Sequence, residues 1–504
     1  MCKRLAILLA AGALAVLVIP GFALGTGRGT ITEFPIPSGG LPNSIVAGPD
    51  GNLWFAALGG TIGRITPEGT ITEFPTPTPY SNPRGLTVGL DGNIWFAEFA
   101  VDKIGRITPA GAITEFPIGR ADTEVFDVAA AADGAIWFTE AKYFWVGRLT
   151  LDGPNASVTE FNVWPNSQPQ GIAAGPDGNL WFSTGRPVVR IKTDGAFTAF
   201  GAWDEHAPIT AGPDGTLWLG NDGGGGVARI AMDGTLSAFP SVGTSDASGI
   251  TTGPDGSIWI TQFWQQFGDP GQIVRLSRSR SGRVRIAERF VVPTVDSRPL
   301  GITAGPDGNI WFTEYDASKI GRLETAKANT AYVLAQGAGF APQTRRLDAQ
   351  GDTARWMFLG PTTQQVTDAS GMHLFGSGSK SFVSFYKFAF NSAGSYPYRD
   401  ALHPALTGAI EASLLVSPAT GPPSTTFTVT WAATPPRAGF VEDIQIQRPG
   451  SSSFADWITG QSGTSAGFVP DAGPGTYAFR ARLRKQANGT HSDWSPEAAI
   501  AVTP

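Results

Sequence analysis

Seven times between Asn43 and Glu314 the chain repeats one phrase: a short apolar stretch, a turn built on Asp-Gly, and an aromatic-rich strand. The closing glycines of these turns are Gly51, Gly92, Gly134, Gly178, Gly215, Gly256 and Gly308, spaced 41, 42, 44, 37, 41 and 52 residues apart. A period of about 42 residues with no helical pattern inside it is the spacing of four-stranded propeller blades, which bury both faces only when neighbours stack against them. The repeat therefore predicts an all-β chain whose residues 30–325 form a seven-bladed β-propeller.

Each blade reads as four strands, and in the first they cover residues 44–47, 52–57, 61–66 and 70–74, from the central axis outward. Glycine closes each hairpin because it takes the positive φ that other residues resist. One tryptophan recurs in every second strand: Trp54, Trp95, Trp137, Trp181, Trp218, Trp259 and Trp311. Each can bury roughly 150–250 Å², about 4–6 kcal/mol before entropy is subtracted, so these residues read as core. An outer-type strand, residues 30–35, precedes the first blade, whereas the seventh unit stops after three strands near Leu323. The amino-terminal strand should complete the last blade and close the ring, leaving no open edge and no eighth blade.

Lys3 and Arg4 precede a 15-residue apolar run, residues 5–19, followed by small residues near Gly25. This reads as a secretory signal peptide over residues 1–25, and the run is short for a membrane span. The expected location is secreted or cell-surface, bacterial extracellular, with no membrane span after cleavage. Cys2 is the one cysteine and leaves with that segment, so disulfides and thiol chemistry are excluded from the mature chain. A net charge of -6 gives no reason to expect nucleic acid. The basic run Arg275, Arg278, Arg280, Arg283 and Arg285 reads as a solvated hairpin of the sixth blade, and the protein is expected to be a monomer.

After Glu324 the repeat stops. Gly351-Asp352-Thr353, Trp356, Phe358, Gly360-Pro361, Val366-Thr367-Asp368, Phe375, Gly394-Ser395-Tyr396-Pro397-Tyr398 and Leu402-His403-Pro404 make residues 329–413 resemble a plastocyanin-like cupredoxin. The resemblance places the copper ligands at Gln364, Asp400, His403 and Leu406. A blue-copper centre needs a thiolate and two imidazoles, so copper electron transfer is excluded and a β-sandwich without copper is expected. His403 then reads as a hydrogen-bonding residue. Thr428-Val429-Thr430-Trp431, Pro474-Gly475-Thr476-Tyr477 and Ser492-Asp493-Trp494-Ser495 make residues 414–504 resemble a fibronectin type III module, a second β-sandwich.

The propeller repeat itself, as in residues 302–314 followed by Lys319-Ile320-Gly321-Arg322, resembles the streptogramin B lyase (virginiamycin B lyase) family over residues 30–325. The resemblance implies a lyase that opens a cyclic depsipeptide at its ester by elimination, with magnesium and a histidine base. It places histidines two residues before the first-strand isoleucine in two successive blades, one glutamate two places before the second histidine, and another fourteen after it. The turn aspartate lies midway in that interval of fourteen, so the histidine slot and the later glutamate should face each other across the hairpin.

In this chain the seven slots hold Asn43, Arg84, Phe126, Gln170, Ala207, Ser248 and Leu300, with no imidazole among them. Arg298 stands at the first glutamate position and Glu314 at the second; the third blade keeps Glu124 and Glu140 around Phe126. His206 lies one residue before its slot, so the catalytic candidates are Glu314 and His206. Glu98, Glu140 and Glu314 are expected to pair with cations such as Lys103, Lys142 or Lys319.

Loops on the slot side carry Tyr143, Phe144, Phe263 and Phe267 beside the ligand-binding candidates Trp203, Trp264, Trp145, Tyr315 and Trp164. Aromatic residues around a concave mouth suit a small amphipathic molecule, a glycan or a protein partner. Three functional readings follow: a non-catalytic ligand-binding propeller, an active streptogramin-type lyase, or a structural cell-surface protein. No metal or other cofactor is expected, with magnesium required only by the lyase reading.

Overall fold

The structure, a computed structural model, describes residues 29–153, 155–163, 168–185, 187–201, 207–221, 226–239, 246–263, 270–279, 282–327 and 329–504. Every regular element among them is a strand. The repeat region folds into seven four-stranded antiparallel sheets. The first consists of Pro42–Ala47, Leu53–Ala57, Thr61–Ile65 and Ile71–Pro75. Innermost strands of successive sheets touch, from Pro42–Ala47 through Pro83–Val88, Val125–Ala130, Pro169–Ala174, Ile209–Ala211, Asp246–Thr252 and Pro299–Ala304 and back to the first. The amino-terminal strand Ile31–Pro35 pairs with Lys319–Leu323, so the two ends of the repeat region meet in one sheet as the offset repeat requires.

One packing unit recurs in each sheet. The second-strand tryptophan faces an arginine across the third strand, from Trp54 and Arg64 in the first sheet to Trp311 and Arg322 in the last. A phenylalanine of the outermost strand stacks on the same indole, with ring centroids 5.2–6.0 Å apart in all seven sheets. The turn aspartate accepts the indole N–H: Trp54 to Asp50 at 3.1 Å, Trp181 to Asp177 at 3.0 Å, Trp311 to Asp307 at 3.1 Å. Close approach demands glycine at the start of this turn, since a Cβ on Gly305 would sit 2.5 Å from the Trp311 ring. In the third sheet that residue is Ala131, and there the Trp137 N–H is buried without an acceptor. The extra methyl accounts for the lost bond.

Beyond residue 329, two four-stranded sheets enclose a core of Trp356, Phe390, Tyr396, Tyr398 and Ile410. A three-stranded and a five-stranded sheet follow, around Trp431, Tyr477, Phe479 and Ile500. In the first of these units, Asp400 is fully buried and accepts the backbone N–H groups of Gln365 and Leu402, both at 2.9 Å. His403 Nδ1 lies 2.9 Å from Asp400 Oδ2, so His403 is a hydrogen-bonding residue as its sequence context suggests.

The same unit sits on the Asp-Gly turn end of the ring. Gln336 Nε2 donates to Ala47 O at 3.1 Å, and Tyr332, Leu334, Ala341 and Met357 share a core with Ile45, Leu53 and Trp311. Val383 and Phe382 pack with Trp181, Leu217 and Leu219 from the far side of the ring. Leu359 packs against both clusters.

Candidate functional site

In six of the seven sheets the first two strands slip register at the slot, where two residues oppose one: Asn43, Gly85, Phe126 with Asp127, Gln170 with Gly171, Ser248, and Leu300 with Gly301 fall in the shifts. A β-bulge bends the strand and re-aims its side chain, here toward the axis. All seven slot residues, Asn43, Arg84, Phe126, Gln170, Ala207, Ser248 and Leu300, line one cavity of about 440 Å³. The bulge also corrects the expected pairing of slot and glutamate. Glu98, Glu140 and Glu314 lie opposite Pro83, Val125 and Pro299, because the extra residue displaces the slot from the position that equal counting assigns it.

Hydroxyls from neighbouring sheets fix the slot backbone, a feature the repeat reading missed. Thr139 Oγ1 donates to Gln170 O at 2.7 Å, Ser183 Oγ to Ala207 O at 2.7 Å, and Thr261 Oγ1 to Leu300 O at 2.8 Å. Their signal was a Ser or Thr two residues after the tryptophan, where the first two sheets have Ala56 and Ala97.

Two arginines face this cavity. The Arg84 guanidinium lies 3.9 Å from the Phe99 ring centroid and 5.0 Å from that of Phe126. Burial lowers its pKa, while Tyr315 and Glu124 favour the charge. Arg298 stands 5.3 Å from both the Phe263 and Tyr315 rings. Among the described residues Asp127 is the one carboxylate in the lining, accepting the N–H groups of Val128 at 2.9 Å and Ile172 at 3.1 Å; burial pushes it up to about 7.

This donor set does not fit magnesium. Among the described residues no three His, Cys, Asp or Glu side chains converge, and the lining offers one carboxylate facing two cations. A hard divalent ion needs several oxygen ligands and is repelled by guanidinium.

The candidate glutamates lie elsewhere. Glu98, Glu140 and Glu314 are fully buried, outside the cavity lining, and their oxygens make no hydrogen bond of ordinary geometry. Their expected lysine partners are taken: Lys103 binds Glu115 at 2.6 Å, Lys319 binds Glu33 at 2.7 Å, and Lys142 binds Asp122. The outer carboxylates win because they also accept hydrogen bonds from Thr78 and Thr294. Burial, reinforced by the neighbouring Glu33, pushes Glu314 up to about 8; burial and Glu160 do the same for Glu140, and burial and Glu115 bring Glu98 to about 7.

Of the aromatic candidates, Tyr315 lines the cavity, whereas Trp145 does not and carries Arg120 over its ring at 4.2 Å. Trp164, Trp203, Trp264 and His206 lie outside the described residues.

Sheets arranged radially about a central cavity, their innermost strands in a closed cycle, define a β-propeller. The chain matches the Virginiamycin B lyase family over residues 23–163, 121–284 and 209–364, and it belongs to that family. A solved streptogramin B lyase structure superposes with a TM-score of 0.53 at 29% identity, covering 58% of this chain and 97% of its own. The selenomethionine-substituted virginiamycin B lyase from Staphylococcus aureus gives 0.52 at 30% identity, with 59% and 99% covered. A catalytically inactive histidine-to-alanine variant of the Staphylococcus aureus enzyme, with quinupristin, gives 0.51 at 28%, again with 59% and 99% covered. No curated protein matches.

Proposed function

We propose that this is an exported, non-catalytic member of the family that binds an amphipathic ligand at the propeller mouth. In this reading the seven sheets are seven blades, residues 329–413 are a cupredoxin-like sandwich without copper, and residues 414–504 are a fibronectin type III-like sandwich. Residues 1–25 direct export. The observation that carries the proposal is the slot inventory: seven side chains converge on one cavity and none is an imidazole. General-base catalysis needs a base within hydrogen-bond reach of the proton it removes. Asp127, the one lining carboxylate among the described residues, is already engaged by two backbone N–H groups. Binding without turnover is coherent with the related enzyme structure that pairs a catalytically inactive histidine variant with quinupristin.

Incubation with quinupristin and magnesium, followed by mass spectrometry, tests the proposal. The expected result is an unchanged cyclic mass together with a calorimetric binding signal. Enzymatic accumulation of the linearised product would show that a base outside the slots operates.

A further inference from the structure

We propose that the mouth is an oxyanion receptor, in which Arg84 and Arg298 hold the carboxylate or phosphate head of an organic anion whose apolar body enters the cavity. This rests on the ligand-binding reading and names the chemistry of its ligand.

The two arginines belong to sheets on either side of the first. Arg84 occupies the slot of the second sheet, Arg298 stands two residues before the slot of the seventh, and Asn43 fills the slot between them. All three line the same cavity, with Tyr315. The Tyr315 ring lies 5.3 Å from the Arg298 guanidinium.

Their partners distinguish them from the other propeller arginines. Arg64 and Arg322 donate to the backbone carbonyls of Pro109 and Pro67, while Arg148, Arg190, Arg229 and Arg275 reach turn aspartates. Among the described residues neither Arg84 nor Arg298 forms an ion pair with a carboxylate, and aromatic rings lie against both guanidinium groups. Arg84 is part-buried with Glu124 as an electrostatic neighbour, and Arg298 is exposed, so a ligand's anion can add charge-assisted hydrogen bonds that neither guanidinium makes among the described residues. Aromatic rings lie over the guanidinium groups, Phe99 and Phe126 at Arg84, Phe263 and Tyr315 at Arg298. Stacking occupies a guanidinium's faces and leaves its N–H edge for a planar or tetrahedral oxyanion.

The rest of the cavity suits an apolar body. Ile45, Leu58, Leu86, Ile250, Leu300 and Ile302 form its walls. Burial pushes Asp127 up to about 7, so at neutral pH it is only partly ionised and opposes a bound anion less than a full charge would.

The test uses the full chain and three probes of one shape, 2-naphthoate, neutral 2-naphthamide and 2-naphthyl phosphate, titrated by calorimetry at low salt. The expected result is that at least one anion binds about 10- to 100-fold tighter than the amide, the range for added charge-assisted hydrogen bonds. The tighter of the two anions identifies the head group. In Arg84→Gln/Arg298→Gln the anion preference should vanish, whereas Arg229→Gln, which removes an outer pair with Asp214, should leave it intact. Arg298→Gln alone, at an exposed lip position, provides the same readout if the double variant does not fold. Equal affinity for naphthoate, phosphate and amide would overturn the oxyanion receptor while leaving a ligand-binding mouth. Persistence of the preference in folded Arg298→Gln and double variants, or binding of none of the three, would overturn it as well. In the last case, binding of quinupristin distinguishes loss of this proposal from loss of the broader one.

Discussion

Lys319 and Glu314 are direct cross-strand neighbours, yet the Lys319 ammonium turns away to Glu33, 2.7 Å distant on the amino-terminal strand. Lys103 repeats the choice, opposite Glu98 but bound to Glu115 at 2.6 Å. Each lysine stabilises the outer carboxylate as the anion. The inner carboxylate is left buried beside a negative charge and keeps its proton.

The pH dependence of stability follows. An ordinary glutamate titrates near about 4.3 in an unfolded chain. With Glu314 held up to about 8, the native state keeps a proton that the unfolded state releases across that interval. Its contribution is complete below the unfolded value and is lost as pH rises through about 8. Glu314→Gln should therefore match the parent protein near pH 4.5 and exceed it at pH 9, by on the order of 2–4 kcal/mol. Urea midpoints at the two pH values measure this, and parallel curves for the two proteins would refute the protonated glutamate.

The bond from tryptophan to turn aspartate gives a second, internally controlled prediction. Asp307 receives the Trp311 N–H and also binds Asn309. Asp307→Ala leaves a buried indole N–H without a partner and should cost about 2–3 kcal/mol. Asp133→Ala should cost less, because Trp137 has no such bond to lose. Chemical denaturation of both variants checks the ordering, and equal losses would assign the effect to turn conformation alone.

The repeat made the sheets, ring closure and slots legible, because each is a property of the period or its offset. The constant four-residue step from aspartate to tryptophan, Asp50 to Trp54 and Asp307 to Trp311, also carried the indole bond in plain sight. The bulge was hidden, since seven residues on each side of a turn imply symmetric pairing unless one strand carries an extra residue. The lysine choice was hidden for another reason: Glu33 lies 286 residues before Lys319, and spacing along the chain points to Glu314. Docking at the turn end rests on scattered residues such as Leu359 and Val383, which follow no repeat.

Ring closure depends on one short strand. Phe34 stacks on Trp311 at 5.6 Å, and Glu33 on the same strand holds Lys319. Phe34 is only partly buried, so Phe34→Ala should cost about 2–3 kcal/mol, below the range for a fully buried phenylalanine. The loss should concentrate at the closure: amide exchange should accelerate first in Ile31–Pro35 and Lys319–Leu323. Uniform acceleration over all seven sheets would argue against a local seam.

Leu359 tests how the unit beyond residue 329 is held at the turn end of the ring. Its side chain packs both on the cluster containing Ile45 and Trp311 and on that containing Trp181 and Leu217. Leu359→Asp places a carboxylate among apolar groups with no partner, a change that costs several kcal/mol unless the surfaces separate and admit water. Separation is the cheaper outcome, since residues beyond 329 have cores of their own around Trp356 and Trp431. The expected result is two calorimetric transitions in place of one coupled transition. Gln336→Ala removes the Ala47 hydrogen bond without adding charge and should weaken the coupling only slightly, by about 1 kcal/mol. A single transition merely lowered in temperature would mean that Leu359 supports the propeller core and does not hold the two parts together.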